Sequence, residues 1–156
     1  MREDLLTVLI DQVQSNRTKD YITNRILPLM EWYSVKSKKN RTRYHFWMTI
    51  SISIGAMIPV LSVFADGAIW VKVLIATLSS AVTASNAYIS LYNFKDLWMI
   101  YRNMRENLLR ILYCYFNNAG AFSQSITQEE KDILLIDSCE EKISYETNMW
   151  MSVIKG

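Results

Sequence analysis

The sequence predicts an all-α fold, a two-transmembrane helical hairpin continuous with a cytoplasmic helical bundle, and three observations lead there. Residues 44–65 and 73–94 each run for about 22 residues without Lys, Arg, Asp or Glu, and at about 1.5 Å of rise per residue each helix is about 33 Å long, enough to cross a bilayer core. Basic residues crowd the outer ends of these stretches and are scarce between them. Aromatic residues mark their edges. The expected organisation is residues 1–43 as N-terminal cytoplasmic helices, 44–94 as the hairpin and 95–156 as a cytoplasmic helical hairpin, all within one structural unit.

Composition narrows the function. A hydrophobic fraction of 51% is ordinary as an average, but the apolar residues gather in the middle third and the charges lie before and after it. The net charge of +2 is too small to point to nucleic acid, which needs a clustered excess of Lys and Arg. Cys114 and Cys139 have neither Cys-x-x-Cys spacing nor a nearby His, so they are expected as reduced thiols rather than a disulfide or a metal site. The opening Met-Arg-Glu-Asp-Leu-Leu lacks the order of a cleavable signal peptide, so insertion is expected through the internal segments.

Lys36, Lys38, Lys39, Arg41 and Arg43 precede the first span, and Lys95, Arg102, Arg105 and Arg110 follow the second. The connection carries only Asp66 and Lys72, so the positive-inside rule puts both chain ends in the cytoplasm, with Asp66-Gly67 turning the chain on the far side. Tyr44, Phe46 and Trp47, then Phe64 and Trp70, then Tyr92, Phe94 and Trp98 fall where interfacial aromatics belong. The basic run at 36–43 would also attract anionic headgroups at about 1 kcal/mol per residue.

Within the first span, Pro59 predicts a kink near Ile58, with Ser62 or Ser51 able to serve the freed carbonyl. Ser51, Gly55 and Ser62 fall close to one face, as close helix packing requires. In the second span Lys72, Ala76, Ser79, Thr83, Asn86, Ser90 and Asn93 alternate in steps of four and three, which sets them on one narrow face. Lipid offers an Asn carboxamide no partner, so Asn86 and Asn93 should face protein or water. Two readings remain open: small and polar residues that hold helices together, or a face that lines a hydrated path when several copies meet, with Ser79, Thr83, Asn86, Ser90 and Asn93 as pore-lining residues. Apart from Asp66 no carboxylate occurs between residues 44 and 94, which argues against a proton relay or a strongly cation-selective site.

Outside the spans, Ile22, Ile26, Leu29 and Tyr33 recur at helical spacing, with Pro28 interrupting or kinking the run. Trp98, Tyr101, Leu108, Leu112 and Tyr115 predict that the second span continues as one helix to about Phe116, stopped by Asn117, Asn118 and Gly120. Thr127 and Glu130 form a capping box for a last helix with Ile136, Cys139, Ile143, Trp150 and Val153 on a seam interrupted by Glu146. Arg102, Glu106 and Arg110 read as a solvated ladder, and Glu146 as a partner of Arg102 or Arg25 between helices. Leu5, Leu6, Leu9, Ile10 and Val13 make residues 1–17 amphipathic, suited to docking on the bundle, on the membrane or on a neighbouring subunit.

Arg25, Trp32-Tyr33, the basic run into the hydrophobic hairpin, Trp98-Met-Ile-Tyr101-Arg102, Glu106 with Leu108, residues 113–122, and Glu146 with Trp150 together resemble the SLATT family across residues 20–153. These are small prokaryotic two-transmembrane domains associated with nucleotide-signalling defence systems. The resemblance implies an effector of the bacterial inner membrane that forms pores or perturbs the bilayer when a signal is sensed. The chain departs from the family at Ile111, where a Glu is frequent, and at Gly120-Ala121-Phe122, where the family has Gly-Pro-Tyr. No Gly-rich phosphate loop is present, so a nucleotide signal would act through a separate sensing partner.

The function expected is thus a homo-oligomeric membrane channel or pore, with self and lipid as partners. The alternative is a non-conducting scaffold whose cytoplasmic helices recruit another protein. No cofactor or metal is expected. Catalysis is not expected either, since the single histidine, His45, stands at the interfacial edge of a span with no nucleophile or paired carboxylate near it.

Overall fold

A computed structural model describes residues 2–11, 13–64, 69–123 and 127–155, with the side chains of 2–5, 7 and 146–155 outside that description. The chain is all-helical, and no strand occurs among the described residues. Its helices are α1 (Arg2–Asp11), α2 (Asn16–Tyr21), a π-helical turn (Ile22–Ile26), α3 (Leu27–Val63), α4 (Ile69–Tyr92), α5 (Phe94–Phe116) and α6 (Gln128–Lys155). Two of its continuous helical runs are long and apolar enough to cross a membrane. The chain divides into two compact units, Met1–Lys36 with Ile100–Gly156, and Ser37–Met99.

The first unit buries apolar residues at helical spacing: Ile22, Ile26, Met30 and Tyr33 from the N-terminal part, Tyr101, Met104, Leu108 and Leu112 from α5, and Leu135 and Cys139 from α6. Each large side chain fully removed from water contributes about 1.5–3 kcal/mol. Leu6 and Ile10 of α1 are buried as well, so of the three placements open to residues 1–17 the fold takes docking within the unit. Burial, reinforced by the Glu140 charge, pushes the Cys139 thiol up to about 12 and keeps it inert at neutral pH.

Pro28 neither ends nor interrupts the helical run. A proline clashes with the carbonyl four residues back and donates no hydrogen bond, and the preceding turn widens instead, with the Leu27 amide bonding to the Ile22 carbonyl. The extra residue in that turn makes Met30 the next buried position, while Leu29 is only half-buried. α5 ends as expected: Asn118 and Gly120 take positive φ values of 49° and 63°. The Ala119 amide reaches the Cys114 carbonyl and the Asn118 amide that of Tyr115, closing the helix end. The capping box of α6 is also present, with the Thr127 amide donating to Glu130 at 2.7 Å and the Glu130 amide to the Thr127 hydroxyl at 3.3 Å.

In the second unit α3 passes through Pro59 without a break. Neither expected hydroxyl serves the carbonyl that Pro59 frees: Ser62 donates to the Pro59 carbonyl at 2.6 Å and Ser51 donates to Asn86. The expected single helix from the second span to Phe116 is corrected. α4 stops at Tyr92, Asn93 turns left-handed at φ 45°, and α5 starts at Phe94. Asn is among the few residues that enter this conformation readily, so a position assigned by spacing to a polar stripe is a helix break. The connection turn at Asp66-Gly67 lies outside the described residues.

Candidate functional site

α3 and α4 lie against each other along faces that the burial pattern defines. On α4 Val71 and Ser85 are buried and Ile75, Leu78, Val82 and Ile89 half-buried, in alternating steps of four and three. On α3 Trp47, Ser51, Ile54, Ile58 and Leu61 follow the same rhythm. Trp47 meets Tyr88 with ring centroids 5.2 Å apart, and the Ser51 hydroxyl donates to the Asn86 side-chain oxygen at 2.9 Å.

The polar stripe of α4 is offset from this seam. Each stripe residue from Lys72 to Ser90 follows a seam residue by one position, a turn of about 100° around the helix. Lys72, Ala76, Thr83, Asn86 and Ser90 are exposed and Ser79 and Asn93 half-buried, so the stripe is free surface beside the contact rather than the contact itself. Only Asn86 bridges the two, and its amide nitrogen has no hydrogen-bond partner among the described residues.

Four hydroxyls on α4 turn back onto their own helix. Ser79 donates to the Ile75 carbonyl at 2.8 Å and Thr83 to the Ser79 carbonyl at 3.0 Å, both within their own helix. Thr77, off the stripe, does the same to Val73, so a back-bonded hydroxyl does not mark a water path. Asn86 is the stripe residue whose side chain bonds across to α3. Sequence spacing placed all these residues together but gave no sign of which were already satisfied.

At the other end of the α3–α4 pair the aromatic residues converge. Tyr88, Tyr92 and Phe94 pack at 4.6–5.7 Å, His45 lies 6.2 Å from Trp98, and the Arg41 guanidinium sits 5.7 Å over the Trp98 ring. The outer surface of the pair is apolar and uncovered, with Ile52, Met57, Val60, Val63, Val73 and Leu91 all exposed. Only 6% of each apolar window is buried, unlike the core helix of a water-soluble domain.

Residues 29–130 match the family described as Protein of unknown function (DUF4231), well over half of the chain. The chain belongs to that family. No curated protein and no solved structure matches it. Both α3–α4 contacts described above fall inside the DUF4231 region, as does the whole polar stripe.

In the first unit of this DUF4231 chain Arg25 has a carboxylate partner on α6. Arg25 meets Glu140, with Nε 3.3 Å from Oε1 and Nη2 3.4 Å from Oε2, and Tyr21 donates to the same carboxylate at 2.9 Å. Arg25 and Tyr21 hold the Glu140 carboxyl below its ordinary value, against the opposing effect of burial. The Glu146 side chain lies outside the described residues. Glu106 pairs with Arg105 at 3.2 Å rather than with Arg102 or Arg110, and Arg102 is exposed.

A second polar cluster escaped the sequence reading. The Asp132 carboxylate, 8% exposed, accepts from Thr18 at 2.8 Å, Tyr115 at 2.5 Å and Gln128 at 2.9 Å, which ties α2, α5 and α6 together. Burial and this carboxylate raise the Tyr115 phenol well above its usual range, so it stays a donor. The signal was present: Asp132 is one turn before Ile136 on the α6 seam, and a charge at a seam position implies buried partners. Among the described residues no group of three or more His, Cys, Asp or Glu side chains is placed to hold a metal.

Proposed function

We propose that this chain is a homo-oligomeric membrane effector in which α3 and α4 cross the bilayer and the polar face of α4, contributed by several copies, forms a channel or pore. Both termini lie in the cytoplasm of a bacterial cell, and a signal or a separate sensing protein opens the assembly as part of a defence or stress response. The membrane effector role draws on the resemblance to SLATT proteins. The channel rests on one observation: Asn86 is exposed beside the α3–α4 seam, and its amide nitrogen has no partner among the described residues. Such a donor facing hydrocarbon costs several kcal/mol, whereas another copy or a water column supplies its partner.

A hairpin cannot enclose water by itself, so the channel requires closure by symmetry. The back-bonded Ser79 and Thr83 support a second reading, a non-conducting scaffold in which this face only packs. Reconstitution of Thr83→Leu/Asn86→Leu separates them. A channel loses conductance while the oligomer keeps its mass in light scattering; a scaffold never conducts and dissociates. Absence of conductance from a folded wild-type oligomer under every trigger sinks the channel.

A further inference from the structure

We propose that one face of α3, carrying Lys38, Arg41 and Thr42, binds the phosphodiester headgroup of a single anionic phospholipid, with an acyl chain laid along Phe46 and Ile50. This rests on the membrane placement proposed above and adds a defined ligand to it. An open groove of about 610 Å³ runs along this face, with the two cations and Thr42 at one end, His45 next, and Phe46 and Ile50 at the other. Thr49 also lines the apolar end, but both cations lie at the other, so charge and hydrocarbon are separated along the groove as they are in a lipid.

The five basic residues of the run do not act alike. Lys36, Lys39 and Arg43 recur in steps of three and four beside the groove without lining it, and the Lys36 ammonium already lies 5.4 Å over the Trp32 ring. Lys38 and Arg41 are exposed in the groove with no carboxylate partner among the described residues. Arg41 is positioned by the Trp98 ring at 5.7 Å, which limits its freedom before any ligand arrives. A guanidinium fork, an ammonium and a hydroxyl donor together match phosphate oxygens.

The apolar end selects lipid over free phosphate. From Lys38 to Ile50 the helix rises about 18 Å, close to the distance from a headgroup to the middle of a leaflet whose hydrocarbon is about 15 Å deep. Inorganic phosphate would occupy the polar end alone and leave Phe46 and Ile50 uncovered.

Full-length protein in detergent is titrated with dioleoylphosphatidylglycerol or dioleoylphosphatidylcholine, and bound lipid is counted by native mass spectrometry. The expected result is one phosphatidylglycerol retained per chain, with the Lys38→Gln/Arg41→Gln variant binding it about thirtyfold more weakly. Lys36→Gln/Arg43→Gln removes the same charge from residues outside the groove lining and should retain it. Equal weakening in both variants, or none in either, overturns the site and leaves only diffuse attraction. Displacement of the lipid by an equal concentration of inorganic phosphate overturns the acyl contact. Carbonate extraction of wild-type membranes reads the placement separately: a chain that stays in the pellet yet shows no lipid preference removes the site alone, and a chain that is released removes both.

Discussion

The two units are built from the same helical spacing and turn it in opposite directions. In the first, the apolar positions of α5 and α6 point inward: Leu108, Leu112, Leu135 and Cys139 are fully buried, and the exposed faces carry charge. In the second, the apolar residues Ile52, Met57, Val60, Val63 and Val73 are exposed, while the buried positions include the small polar residues Ser51 and Ser85. Water drives the first arrangement, because removing apolar surface from it is favourable. The second makes sense where the surroundings are themselves apolar and helices are joined by small and polar groups.

The sharpest way to break this contrast is to hollow the first unit. Leu112→Ala, at a site with no exposure, should cost about 2–5 kcal/mol and lower the thermal unfolding midpoint of that unit. An unchanged midpoint would mean that its core is not what holds it.

A matched pair of substitutions tests the solvent of each unit directly. Ile52 and Ile133 are 60% and 55% exposed, so in water an aspartate at either place should be nearly silent. In a bilayer Ile52→Asp should cost about 2.5–3.5 kcal/mol and deplete the membrane-inserted fraction, while Ile133→Asp stays within about 0.5 kcal/mol. Two silent substitutions would erase the difference between the units.

Tyr115→Phe probes the buried network of the first unit. Losing the donor to the Asp132 carboxylate should cost about 1.5–3 kcal/mol by denaturant titration. At the helix break, Asn93→Val should destabilise by about 1–2 kcal/mol because a branched side chain resists the left-handed backbone, while Asn93→Gly should be tolerated. Equal behaviour of the two would show that the break is not held at that residue.

The smallest effect is acidic. Glu140 ionises more readily in the folded chain than unfolded, so its pairing with Arg25 and Tyr21 stabilises fully above its ordinary value of 4.5 and is lost as pH falls through the lower folded value. Both Arg25 and Glu140 are more than a third exposed, so salt screens the pair and the loss should be under about 1 kcal/mol. Glu140→Gln should flatten the acid limb of the stability curve; a limb unaltered by this change would assign acid sensitivity elsewhere.

Local chemistry made much of the architecture legible in the sequence. Uncharged runs of bilayer length, the Thr127–Glu130 cap and the Asn118–Gly120 stop each depend on a few neighbouring residues, and each appears where expected. Of the stripe, Lys72 to Ser90 lie along α4 and Asn93 falls at the break after it. What spacing cannot encode is partnership across distance. That Asn86 is met by Ser51, that Arg25 finds Glu140, and that Asp132 draws donors from α2 and α5 depends on which helices lie side by side. The same holds for Asn93, where periodicity continued a helix that the backbone ends, because a repeat of apolar and polar residues describes a face but carries no record of the turn that breaks it.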